Sequence, residues 1–181
     1  METTRRPVLT LALTAMMAAV IALCSWIAVP AAVPFTLQTF GVCCALLILG
    51  GKRGTLAILV YLLLGAVGAP VFASFSGGIG VLLGATGGYL MGFLLMGLLY
   101  WLITALLGEK LWVQAAALVL GEAVLYIFGT AWFMTVYTRS TGPVDLAAAL
   151  GWCVWPFLLP DGIKLALALP VAARVKKLIR F

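Results

Sequence analysis

Long apolar runs without charge recur along this chain, parted by short stretches rich in Pro, Gly, Lys or Arg. A helix that crosses the hydrocarbon core of a bilayer needs roughly 20 such residues, fewer where it is short or partly interfacial. Six spans are expected on this pattern, at residues 8–29, 36–50, 55–67, 84–107, 113–136 and 161–175. Pro30 and Pro34 break the first, Lys52 and Arg53 stop the second, and Gly68-Ala69-Pro70 ends the third. Gly108-Glu109-Lys110 turns the fourth into the fifth, and the sixth starts near Asp161, with that residue as N-cap behind Pro160. The expected fold is all-α and integral to a membrane, a single membrane domain over residues 1–181. Spans 2 and 3 are short for a bilayer, which leaves room for loops to dip inward over a cavity.

Composition narrows the function. Only 9% of residues are charged and 65% are hydrophobic, against about 25% charged in soluble domains. Histidine is absent, which excludes Ser-His-Asp catalysis, His-ligated metals and H-E-x-x-H proteolysis. Cys24, Cys43, Cys44 and Cys153 lie in or beside apolar segments, form no C-x-x-C pair and read as small buried hydrophobes. The run after Arg5 and Arg6 is too long for a signal-peptide core and reads as an uncleaved first span.

The net charge of +6 sits mainly at the ends of apolar runs, where it sets orientation. With the N-terminus inside, the inner face holds Arg5, Arg6, Lys52, Arg53, Lys110, Arg174, Lys176, Lys177 and Arg180, and the outer loops hold Arg139 alone. Both termini are therefore expected to be cytoplasmic. The outer segments 30–38, 69–83 and 139–160 are long, rich in Pro, Gly and aromatic residues, and converge where Asp161 and Lys164 enter the membrane.

Asp161 and Lys164 are three apart and share a helix face. An ionisable residue inside a span is a functional-site hypothesis by default. The competing reading is a capping Asp with a Lys that snorkels to the outer interface. As a site, the pair can hold a small polar ligand that carries both N–H and C=O groups, or a carboxylate on the ammonium alone. Glu122, near the middle of span 5, should face the bundle, either as a proton or ligand site or as a structural hydrogen-bonding group. Gly84, Gly88 and Gly92 form one small-residue stripe, read as packing within the chain. Ala15 and Ala19, with Ala18 and Ala22, form another, suited equally to packing or to a second subunit. Aromatics such as Phe35, Phe72, Tyr89, Trp152 and Phe157 gather at the outer side, most as an interfacial belt and one or two as pocket walls.

Several segments together resemble the BioY family. They are residues 33–40 (VPFTLQTF), Lys52-Arg53-Gly54, residues 61–72 (YLLLGAVGAPVF), residues 77–90 (GGIGVLLGATGGYL) and 160–164 (PDGIK). The likeness runs through essentially the whole chain in the right order, although the family usually has Pro where this chain has Ala85. BioY proteins are biotin-binding S components of energy-coupling factor (ECF) transporters in the bacterial plasma membrane. The resemblance implies six helices, an outward substrate pocket, and a complex with a transmembrane coupling protein and two cytosolic ABC-type ATPases. It implies that Asp161 and Lys164 contact biotin, with Tyr89, Gln38 and Phe35 as further substrate contacts, and that Ala15 and Ala19 dock the coupling protein. It implies no cofactor, no metal and no covalent chemistry; no P-loop motif is present in this chain. In this pocket Lys164 suits either the ureido oxygen or the carboxylate of biotin. The other readings are an S component for thiamine or riboflavin, and a membrane bundle without transport.

Overall fold

The structure, a computed structural model, describes residues 2–29 and 33–178, with only the backbone described for residues 2–7. Pro30 and Arg180, and the side chains of Arg5 and Arg6, lie outside the described residues. The chain runs through α1 (Glu2–Trp26), a two-stranded antiparallel ribbon of β1 (Ala28–Val29) and β2 (Phe35–Thr36), and α2 (Gln38–Ala66). A 3₁₀ turn (Ala73–Phe75), α3 (Ile79–Leu83), α4 (Gly87–Leu107), α5 (Leu111–Ser140), α6 (Leu146–Cys153) and α7 (Trp155–Leu178) follow. Among the described residues, 5 helical stretches are long and apolar enough to cross a membrane.

One of them, α2, is folded back on itself. Gly50 has φ 79° and ψ 171°, a conformation open essentially to glycine alone. In a straight helix Gln38 and Tyr61 would stand about 34 Å apart at 1.5 Å per residue. Instead the Gln38 amide donates to the Tyr61 hydroxyl at 2.9 Å. A Cβ at Gly54 would lie 2.7 Å from the Leu46 Cα, so the arms 38–49 and 51–66 are in backbone contact. The two short spans expected from sequence are these arms, and Lys52 and Arg53 stand exposed just past the bend. The bend lies beside the α4–α5 turn, since a Cβ on Gly50 would sit 3.4 Å from a Glu109 carboxylate oxygen.

Helices α4 and α5 share the most extensive contact in the bundle, and glycine makes it possible. Cβ atoms at Gly88 and Gly92 of α4 would strike Trp132 and Leu125 of α5, and at Gly121 and Gly129 of α5 they would strike Met96 and Tyr89 of α4. The stripe of Gly88 and Gly92 is thus spent on packing within the chain, where small residues let helices approach. Gly84 stands outside α4, in the turn that leads to it. The alanine stripe of α1 divides: Ala18 and Ala22 are buried in the bundle, while Ala15 and Ala19 are exposed on the opposite side.

The last segment departs from expectation. Residues 139–160 are mostly helical, and α7 starts at Trp155, so Pro160 lies inside the helix and Asp161 is not its N-cap. Pro156 falls in the first turn, where its missing N–H would have had no helical partner. Pro160 follows only one turn later, where few backbone bonds are lost. The chain end before it is closed by Phe157 and Leu158 N–H groups donating to the Val154 carbonyl at 2.9 and 3.2 Å.

Candidate functional site

A cavity with about 140 Å³ of internal space opens among α2, α4, α5, α7 and the loops at residues 33–36 and 72–86. That is room for several waters or one small organic molecule. It lies at the end of the bundle where α5 finishes and α7 begins, away from the Gly50 bend, Lys110 and the basic end of α7. Phe72, Leu90, Phe93, Leu125 and Phe157 supply apolar walls. Gln38, Thr39, Tyr89 and Tyr126 supply polar ones, with Asp161 and Lys164 at one side.

Asp161 and Lys164 are both buried, at 3% and 5% exposure. The lysine is therefore covered by protein. Its ammonium donates to Asp161 Oδ1 at 2.6 Å and to the Thr36 carbonyl at 2.6 Å. It also stands 4.1 Å from the centroid of the Phe35 ring. The ribbon β1–β2, paired as Ala28↔Thr36 and Val29↔Phe35, brings the Thr36 carbonyl to this point. An ammonium has three donors, so one remains for a ligand. The other Asp161 oxygen, Oδ2, accepts from the Tyr126 hydroxyl at 2.6 Å. A carboxylate offers about four acceptor sites, so Asp161 too retains capacity. The pair is electrically balanced, bonded on both sides, and still able to donate and accept.

The residues expected from sequence do not all play one part. Asp161, Lys164, Tyr89 and Gln38 line the cavity together. Tyr89 is tied to α5, its hydroxyl 2.9 Å from that of Thr130. Phe35 is not among the lining residues; it packs behind Lys164, with its ring centroid 5.7 Å from that of Phe157. Glu122 is buried one turn below Tyr126, outside the cavity lining, and its Oε1 has no hydrogen-bond partner among the described residues. Two participants were not singled out in the sequence. The Thr36 carbonyl is backbone and carries no residue-type signal. Tyr126 had one faint signal, a position four after Glu122 on the same face of α5. All four cysteines are free and buried, and no cluster of His, Cys, Asp or Glu among the described residues can hold a metal ion.

Comparison with known proteins follows the same lines. The sequence model of the BioY family matches residues 1–181. The biotin transporter BioY of Thermotoga maritima is 41% identical over 161 residues, which cover 88% of this chain and 91% of that protein. The probable biotin transporter BioY of Pyrococcus horikoshii is 42% identical over 144 residues, 80% of this chain and 81% of that one. A crystal structure of the S-component for biotin from an ECF-type ABC transporter superposes with a TM-score of 0.83 at 26% identity, covering 96% of this chain and 93% of that one. By the family match along its whole length, this chain belongs to the BioY family.

Proposed function

We propose that this chain is the biotin-specific S component of an ECF-type transporter, a multi-pass protein of the cell membrane that takes biotin into the cavity from outside. The observation that carries the reading is the buried Asp161–Lys164 pair, with an ammonium donor and carboxylate acceptor sites still uncommitted beside apolar and aromatic walls. Biotin matches that lining: its ureido ring has two N–H donors and one carbonyl acceptor, and its bicycle is apolar. The related proteins named above are described as a biotin transporter, a probable biotin transporter and the S-component for biotin of an ECF-type transporter.

In this reading the two arms of α2 count separately, the single membrane domain has six helices, and both termini are cytoplasmic. The basic residues Lys52, Arg53, Lys110, Arg174, Lys176 and Lys177 favour that orientation by the positive-inside rule. A cysteine placed at Gly142 is then labelled by a membrane-impermeant thiol reagent from outside, and one at Gly108 only after the membrane is opened. The reverse pattern would invert the orientation. ATP is hydrolysed by two partner ATPases, joined through a coupling protein that docks on the exposed Ala15–Ala19 face. This chain performs no covalent chemistry and takes biotin as its ligand, with no cofactor.

The test is thermal unfolding of the purified protein. A ligand that binds only the folded state raises stability by RT ln(1 + [L]/Kd), about 2.7 kcal/mol at a hundredfold excess over Kd. Biotin should raise the midpoint, while thiamine and riboflavin should leave it unchanged. A rise with thiamine and none with biotin would reject the assignment.

A further inference from the structure

A second depression lies along an exposed side of α5 and shares no lining residue with the cavity. This groove has about 520 Å³ of space. Phe128, Ala131, Trp132, Thr135, Val136 and Arg139 of α5 line it, with Leu83 of α3 opposite. The α5 residues recur at helical spacing and form one face. From Phe128 to Arg139 that face runs about 16 Å at 1.5 Å per residue. One leaflet of a hydrocarbon core about 30 Å thick has the same depth.

The groove has a fixed floor. The Trp132 indole N–H donates to the Gly84 carbonyl at 3.0 Å, across to the turn after α3. The Trp132 Cβ lies so close to Gly88 that a side chain there would strike it. The Phe128 ring stands 6.2 Å from the Trp132 ring, tilted by 34°. Apolar walls of this kind give shape but little selectivity in a bilayer, since lipid tails are as apolar as the wall.

Charge supplies what the walls do not. Of the three side chains in the lining that carry donors, Trp132 is bonded to Gly84 and Thr135 to the Ala131 carbonyl at 2.8 Å. Arg139, at the end of the groove, is exposed and has no salt-bridge partner among the described residues. The next acid in the chain, Asp145, accepts from the Ala148 N–H at 3.0 Å as N-cap of α6. A guanidinium presents paired donors that match a phosphate.

We propose that this groove binds one anionic phospholipid, with the lipid phosphate on Arg139 and one acyl chain along Leu83, Trp132 and Phe128. A zwitterionic headgroup fits less well, because its own ammonium competes with Arg139 for the phosphate. In the orientation proposed above the lipid belongs to the outer leaflet, and its binding does not depend on the biotin reading.

The test is native mass spectrometry of purified wild type, Arg139→Gln and Ala131→Trp, released from micelles holding equal amounts of phosphatidylglycerol and phosphatidylethanolamine. Ala131 is exposed, so a tryptophan there fills the groove without entering the core. Circular dichroism checks that each variant keeps its helices. Wild type should retain one phosphatidylglycerol with about fivefold preference, the scale of one Arg on an anionic headgroup. Arg139→Gln should lose the preference, and Ala131→Trp should retain neither lipid. Lys110→Gln, at the other end of α5, should behave as wild type. Glycerol 3-phosphate, a headgroup without chains, should not displace the lipid. Equal retention of both lipids by wild type, an unchanged preference in Arg139→Gln, or lipid retention by Ala131→Trp would overturn the proposal. So would an equal loss in Lys110→Gln, which marks a general charge effect, or displacement by glycerol 3-phosphate, which marks a plain phosphate site.

Discussion

At the scale of the residue, the buried Asp161–Lys164 pair carries the burial cost and, in the proposed function, the ligand contact. Two charges taken out of water are costly, and removing one leaves the other uncompensated, a loss of about 3–5 kcal/mol. The protein offsets the cost with three neutral contacts around the pair: the Thr36 carbonyl, the Tyr126 hydroxyl and the Phe35 ring. Asp161→Asn keeps the shape and removes the charge. It should weaken biotin binding more than tenfold, about 1.4 kcal/mol or more, as read by titration calorimetry in detergent. Unchanged affinity would reduce the pair to a structural role. Glu122 lacks this support, with one carboxylate oxygen unpartnered, and it stands outside the lining. Glu122→Gln should therefore leave biotin affinity within about threefold of wild type, since a neutral amide of the same shape disturbs no contact with the cavity. A tenfold loss would bring Glu122 into the binding charge set.

At the scale of the element, glycine decides what side chains cannot. The bend at Gly50 turns one apolar stretch into two antiparallel arms and so brings Gln38 beside Tyr61. An alanine there would be forced into a conformation costing about 1–3 kcal/mol. Gly50→Ala should lower the thermal midpoint and weaken biotin binding together, because both Gln38 and its support depend on the arms meeting. Gly151→Ala is the control, since a Cβ there would meet nothing within 4 Å. A Gly50→Ala protein with unchanged midpoint would show that the bend tolerates a side chain. On α7, the apolar run with two internal prolines at Pro160 and Pro170 still forms one helix from Trp155 to Leu178. Proline predicted a break at residue 160, and the break came before Trp155 instead, at the junction with α6. The helix so formed packs on α2 and α6.

At the scale of the whole molecule, the two ends of the bundle differ in kind. One holds a cavity roofed by irregular backbone, and the other holds tight turns and basic side chains. No residue of α1 lines the cavity, and the α1 face with Ala15 and Ala19 is exposed; in the proposed function the first captures biotin and the second docks the coupling protein. Ala15→Trp or Ala19→Trp should leave biotin affinity of the purified chain unchanged and abolish biotin uptake in cells that supply the coupling protein and ATPases. Retained uptake would move the docking face elsewhere.

The hydrophobic pattern by itself determined the class of the molecule, because apolar runs of bilayer length have few other places to go. Residue type and spacing singled out Asp161 and Lys164, since charge inside such a run is too costly to be idle, and the resemblance added Gln38 and Tyr89. What the sequence could not supply were directions and long-range neighbours. The Thr36 carbonyl lies 128 residues from Lys164, and the Tyr126 hydroxyl lies 35 from Asp161. Such contacts follow from how helices stack, and no local pattern encodes them. Phe35, read as a ligand contact, lies outside the cavity lining, with its ring against Phe157 and Lys164. The cover over the pair was out of reach for the same reason, because burial of Lys164 depends on what packs on it, and only the folded loops and α2 supply that cover.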